Sequence, residues 1–154
     1  MEERVKILAA CELFKTLPPE ALEMLASRSE AAAAKEGEVI VAEGKAADNL
    51  YVVAEGQVDY IKRVDEKRGL VLFRWQRGDV LALNPVMDGK EYYVSAIATA
   101  PVKFLRISAK DFWAVVAADP LYEHRVFRQT LLIQSAGLRQ TTLRLREFLA
   151  KIIK

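Results

Sequence analysis

The chain has 154 residues, enough for one domain with a sizeable core. Hydrophobic residues make up 52% and charged residues 29%, an ordinary globular balance, and a formal net charge of +2 gives no reason to expect nucleic acid as the main partner. The lone cysteine, Cys11, excludes an internal disulfide, a multi-thiolate metal site and an iron–sulfur centre, and no apolar run approaches the roughly 18 residues of a membrane span.

The N-terminus, MEERVKILAACELF, is charged and lacks the long apolar block of a secretory signal, so a soluble cytoplasmic protein is expected. Residues 1–30 are helical in pattern. Val5, Leu8, Ala9 and Leu13 recur at helical spacing, Pro18 and Pro19 interrupt, and Ala21, Leu22, Leu25 and Ala26 resume. Thr16 is the expected cap of the second helix, with the prolines at its start and Glu20 and Glu23 near its positive end.

Residues 31–107 change period. Val39–Val41, Leu50–Val53, Val58–Ile61, Leu70–Trp75, Val80–Leu81, Tyr92–Ala98 and Val102–Ile107 are short, β-branched or aromatic, and separated by turns. Gly37, Gly44 and Gly56 fall at intervals of seven and twelve residues, which suits a roll of short strands joined by tight corners. Ala31–Ala34 favours helix by propensity, yet Gly37 follows at once and strands follow that. A first strand is therefore expected there.

Residues 108–154 return to helix. Ser108 heads a capping box with Asp111 in place of the usual glutamate. Phe112, Trp113, Val115 and Val116 follow, and Asp119-Pro120 ends that helix. From Leu121 onward only Gly137 opposes one long helix, at a cost of about 1 kcal/mol relative to alanine. Leu131, Leu138, Leu145 and Ile152 recur every seven residues, while Val126, Ile133 and Ala136 form a second apolar line. One small roll cannot cover all of that surface, so a homodimer through this helix is expected. The tail from Leu143 to Lys154 is basic and amphipathic. A helix seam or docking onto the roll is preferred over a membrane anchor.

The fold class is thus mainly β with flanking helices: N-terminal helices, an eight-stranded antiparallel jelly roll, and two C-terminal helices, the last one long. One domain over 1–154 is expected, divided into 1–30, 31–107 and 108–154.

This order resembles the cyclic-nucleotide-binding domain superfamily, the sensor fold of catabolite-activator-type regulators, protein kinase A regulatory subunits and cyclic-nucleotide-gated channels. The resemblance rests on Gly37-Glu38-Val39-Ile40, Glu43-Gly44, Leu50-Tyr51-Val52-Val53, Gly56-Gln57-Val58, Arg77-Gly78-Asp79 and Phe104-Leu105-Arg106-Ile107, with Leu13-Phe14 to Leu25-Ala26 before the roll. It implies a ligand cassette after the Gly-Asp turn. Ligand-binding members carry there a Gly-Glu pair that holds the ribose, a short helix, and an Arg followed by a small residue that hold the cyclic phosphate. Here Ala82 and Leu83 stand where Gly and Glu would be, followed by Asn84-Pro85. Counting back from Phe104, the Arg position falls on Tyr92 and the small residue on Tyr93. Both charged anchors are absent, so neither cyclic AMP nor cyclic GMP is expected to bind in the family's way. Lys45 and Lys90 lack the bidentate fork that could replace the arginine.

Two expectations follow for Ala82, Leu83, Asn84, Tyr92 and Tyr93. They line a pocket for a more apolar ligand, or they fill the cup as plain packing; the filled cup is preferred. No nucleophile–base pair or metal-ligating cluster is evident, so neither catalytic residues nor a cofactor is expected. His124, between Glu123 and Arg125, is read as a solvated surface histidine, and Cys11 as a small core hydrophobe. By the resemblance, a ligand or a protein partner would act by moving the C-terminal helices. The helix-turn-helix domain that the family's transcription factors carry after the long helix is not expected in this chain. The alternatives are a sensor fragment of such a regulator, or a pure dimerisation module with a filled pocket. In neither case would this chain contact DNA directly.

Overall fold

The computed structural model describes residues 1–153; Lys154, the last residue of the expected basic tail, lies outside them. Two helices, α1 (Glu2–Ala9) and α2 (Pro19–Arg28), precede eight strands: β1 (Ser29–Ala34), β2 (Val39–Val41), β3 (Asn49–Glu55), β4 (Gln57–Arg63), β5 (Gly69–Gln76), β6 (Val80–Leu81), β7 (Ser95–Ala98) and β8 (Val102–Ser108). A short helix α3 (Leu83–Asp88) separates β6 from β7, and α4 (Ala109–Val116) and α5 (Pro120–Ile152) follow β8. The strands form two four-stranded antiparallel sheets, ordered β1-β8-β3-β6 and β2-β7-β4-β5. Among the described residues no helix is long and apolar enough to cross a membrane.

The two central strands of the first sheet, β3 and β8, bury apolar residues on both faces, which explains their continuous apolar runs. On β3, Leu50 and Val52 face the helices while Tyr51 and Val53 face the interior of the roll. On β8, Leu105 and Ile107 join the helical side, and Val102 and Phe104 join the roll interior. Each such side chain contributes about 1.5–3 kcal/mol by leaving water. The helical side is completed by Leu8, Leu13, Phe14, Leu25 and Phe112, all fully buried.

The alanine run does form β1, pairing along its length from Ser29 opposite Ile107 to Ala34 opposite Val102. Strand pairing overrides helix propensity there. Thr16 does not cap α2. The cap is Pro18 in extended conformation, Pro19 is the first helical residue, and no side chain caps the end. The Thr16 hydroxyl is instead buried without a partner, while its carbonyl accepts from the Arg125 guanidinium. Ser108 caps α4 as expected, accepting from the Asp111 amide at 3.0 Å. The segment expected as a strand from Tyr92 pairs regularly only from Ser95. Before that, Tyr92 exchanges backbone hydrogen bonds with the turn at Gly44 and Lys45, and the Tyr93 carbonyl accepts from the Lys62 ammonium. These ties hold the segment against a turn rather than a strand.

At the β3–β4 turn Gly56 has φ +92, and a Cβ there would lie 2.2 Å from the Pro101 carbonyl oxygen and 2.8 Å from Val102 Cα. Gly56→Ala therefore combines a left-handed backbone with backbone overlap and should cost at least about 2 kcal/mol. Gly37 has φ +87 but open space around it, so Gly37→Ala should cost only about 1 kcal/mol. Urea midpoints at an unchanged slope provide the measurement; equal losses in the two variants would refute the role of the Pro101 contact.

Candidate functional site

The roll is a cup whose mouth is crossed by α5. Asp119 caps this helix, its carboxylate accepting from the Leu121 amide at 2.8 Å. Tyr122, Val126 and Gln129 bury its first turns, and Gln129 donates to the Glu12 carbonyl at 2.8 Å. Farther along, Arg144 donates to the Val71 carbonyl at 3.1 Å and lies 6.0 Å from the centre of the Phe73 ring. Helix and roll border a half-open cavity of about 260 Å³. Its walls come from Tyr60, Phe73 and Trp75, its cassette side from Ala82 to Pro85, and its roof from Ile133, Gln134, Gly137, Leu138 and Thr141.

The cassette turn is held in an uncommon conformation. Ala82 has φ 68 and ψ 22, the only non-glycine with positive φ among the described residues. That backbone costs an alanine roughly 1–2 kcal/mol, and it is a conformation glycine adopts freely. It is held by the Ala82 amide, which donates to the Tyr60 hydroxyl at 2.7 Å. Burial pushes the Tyr60 phenol well above its usual range, so the hydroxyl keeps its proton. The next residue, Leu83, opens α3, borders the cavity and is buried in the helix-side core.

Tyr92, at the expected anchor position, is 6% exposed. Its hydroxyl donates to the Asn49 carbonyl at 3.1 Å, and burial pushes its pKa up to about 12. Tyr93 is 48% exposed, and its hydroxyl accepts from Asn84 Nδ2 at 2.7 Å. Asn84 Oδ1 in turn accepts from Gln134 Nε2. A chain of neutral hydrogen bonds thus links α5 to α3 and to the 89–94 loop across the cavity mouth.

Ala82, Leu83, Asn84, Tyr92 and Tyr93 are all brought together around this space, and none of its 18 lining residues carries a charge. The cup is not filled, contrary to the preferred expectation. Ala82 is small and Gly137 projects nothing into it: a Cβ at Gly137 would meet no atom within 4 Å. Lys90 borders, with Glu43 and Glu91, a shallow depression that meets the cavity at Tyr92 and Tyr93, and Lys45 borders neither space. Arg74 and Arg144 border an adjoining groove that shares Phe73 and Trp75 with the cavity; Arg74 is also committed to buried Asp59, at 2.9 and 3.1 Å. Of the helix residues, Leu131, Leu145 and Ile152 lie away from the cavity and are exposed, while Leu138 is exposed and also borders it.

Tyr60, Phe73, Trp75, Gln134 and Gly137 were not singled out from sequence as site residues. The interior helix glycine was the one available signal, since it is disfavoured unless a side chain is unwanted there. His124 is exposed, and among the described residues no three metal-binding side chains converge. Cys11 is fully buried, and burial pushes its thiol up to about 12, which leaves it unreactive.

The sequence profile of the cyclic nucleotide-binding domain family matches residues 32–119. No curated protein matches the chain. Among solved structures, a cyclic nucleotide-binding domain from Methylobacillus flagellatus is similar with a TM-score of 0.80 at 23% identity, over 95% of this chain and 82% of its own. The regulatory subunit of a cAMP-independent protein kinase A from Trypanosoma brucei gives 0.77 at 16% identity, over 96% of this chain and 51% of its own. The N-terminal domain of a transcriptional regulator from Streptomyces coelicolor gives 0.71 at 22% identity, over 88% and 94%. At these identities the likeness establishes the fold.

Tyr60→Phe removes the acceptor of the buried Ala82 amide while keeping the ring. It should cost about 1–3 kcal/mol, the penalty of an unpaired buried donor, read from urea unfolding. A change below about 0.5 kcal/mol, the usual size of a neutral surface substitution, would remove Tyr60 as the support of the cassette turn.

Proposed function

The chain belongs to the cyclic nucleotide-binding domain family, and from that membership we propose that it is a non-catalytic regulatory module that no longer takes cyclic AMP or cyclic GMP in the family's way. The observation that carries this is the uncharged cavity: 18 lining residues and no cation. A phosphate leaving water without a counter-charge costs several kcal/mol. The missing charge-assisted bonds would have contributed about 1.5–3 kcal/mol each. The Trypanosoma brucei neighbour is the regulatory subunit of a protein kinase A described as cAMP-independent, so regulation without that nucleotide has a precedent within the fold.

The element that moves is α5. Its first half is anchored in the helical core, while beyond Gln134 it touches the roll through few groups, chiefly the cavity roof and Arg144. A ligand or protein partner that favours one position of this helix shifts the population between docked and released states. The receiver is a second copy of the chain. Helix α5 has 33 residues, about 50 Å at 1.5 Å per residue. Leu131, Leu138, Leu145 and Ile152 are 69%, 70%, 55% and 63% exposed along it. This heptad line supports a parallel helix pair, and because Leu138 also borders the cavity, occupancy and pairing meet at one side chain.

Isothermal titration with cyclic AMP and cyclic GMP should show no saturable binding tighter than about 10 μM, some 7 kcal/mol; such binding would overturn the loss of nucleotide recognition. Light scattering should give a dimer for the parent and a monomer for Leu131→Glu combined with Leu145→Glu. An unchanged mass in that variant would remove α5 from the interface.

A further inference from the structure

We propose that the cavity under α5 is a binding site for an uncharged, flat aromatic molecule of about two fused rings that carries one neutral hydroxyl or carbonyl group. The proposal rests on the absence of nucleotide recognition argued above and adds the chemistry of the ligand that replaces it.

Size comes first. An apolar cavity of about 150 Å³ takes benzene. The space here is about 260 Å³, which suits a two-ring system. The walls favour flat rings. Trp75 is met edge-on by Tyr60 at 5.2 Å and stacked by Phe73 at 5.3 Å, so the wall is already an ordered aromatic surface. The lining excludes ions of either sign, since it offers no charge to compensate their desolvation.

The polar groups lie together at one end. Within the chain Gln134–Asn84–Tyr93, Asn84 uses both its carbonyl and its amide. The Tyr93 hydroxyl accepts from Asn84 and is half exposed, so its own hydrogen is open to solvent or ligand, and Gln134 Oε1, on a partly exposed side chain, is likewise open to a donor. One free donor and one free acceptor match a single hydroxyl or carbonyl on the ligand.

Gly137 is what keeps this space. It is the one glycine of a 33-residue helix, it forms part of the roof, and no atom lies within 4 Å of where its Cβ would stand. Any larger residue would project into open space at the cavity. A glycine disfavoured by helix propensity but placed over a vacant aromatic cup fits a site selected for room.

The test uses the full chain and 2-naphthol as probe, with naphthalene-2-sulfonate as its charged counterpart and cyclic AMP as reference. We expect 2-naphthol to bind saturably with a Kd on the order of 100 μM or tighter, a modest efficiency for a molecule of that size. It should alter tryptophan fluorescence and raise the melting temperature. The sulfonate should bind at least tenfold more weakly. Gly137→Leu should abolish 2-naphthol binding while its own melting temperature equals or exceeds that of the parent, which shows that the fold is intact. Failure of 2-naphthol to saturate by 1 mM (about 4 kcal/mol), equal binding of the sulfonate, or undiminished binding to folded Gly137→Leu would each overturn the proposal. These failures would leave the absence of nucleotide binding standing; only tight cyclic AMP binding that Gly137→Leu removes would overturn both.

Discussion

The structure depends on two central strands that bury apolar side chains on both faces. Strands β3 and β8 give alternate residues to two cores: Leu50, Val52, Leu105 and Ile107 to the helices, and Tyr51, Val53, Val102 and Phe104 to the roll. Remove that double burial and the helices lose their platform while the cup loses its back wall. It also fixes where α5 can lie. Tyr122 and Val126 seat its first turns in the helix-side core, so a straight continuation carries the helix over the mouth of the roll.

Within that frame the cassette keeps a shape whose chemistry has changed. Ala82 takes the left-handed conformation that suits the glycine expected there by resemblance, and Tyr60 holds it through the Ala82 amide. Leu83, where the resemblance implies a carboxylate, joins the core. Tyr92, where it implies a guanidinium, bonds to a backbone carbonyl. The cassette as it stands is neutral. A low-dielectric cup without counter-charge is hostile to a phosphate and hospitable to apolar surface. The same geometry therefore supports a regulatory role and a different ligand.

Much of this was legible in the chain. Short apolar runs bracketed by glycines marked the strands, because strands buried on both faces need no polar alternation. The absence of charged side chains at Ala82, Leu83 and Tyr92, the positions where the family resemblance implies ligand anchors, was visible in the chain. Other features were not legible. Thr16 had the side chain of a cap, but the prolines beside it took over the start of α2. Tyr92 to Val94 had strand composition, but the backbone bonds of Tyr92 go to the turn at Gly44 and Lys45 instead of to β4. Tyr60, Phe73, Trp75 and Gln134 lie far apart in sequence, and only the closing of the roll beneath α5 brings them to one cavity.

The sequence by itself determined the order of elements, the eight short strands, the long final helix and the uncharged run from Val80 to Val86, since each depends on residues within a few positions of one another. Only the tertiary structure decided whether the cup was full. Volume inside a fold is set by how side chains from distant segments meet, and here the deciding residue is one that contributes no side chain. At Gly137 a local propensity cost became open space only when the helix was laid across the roll.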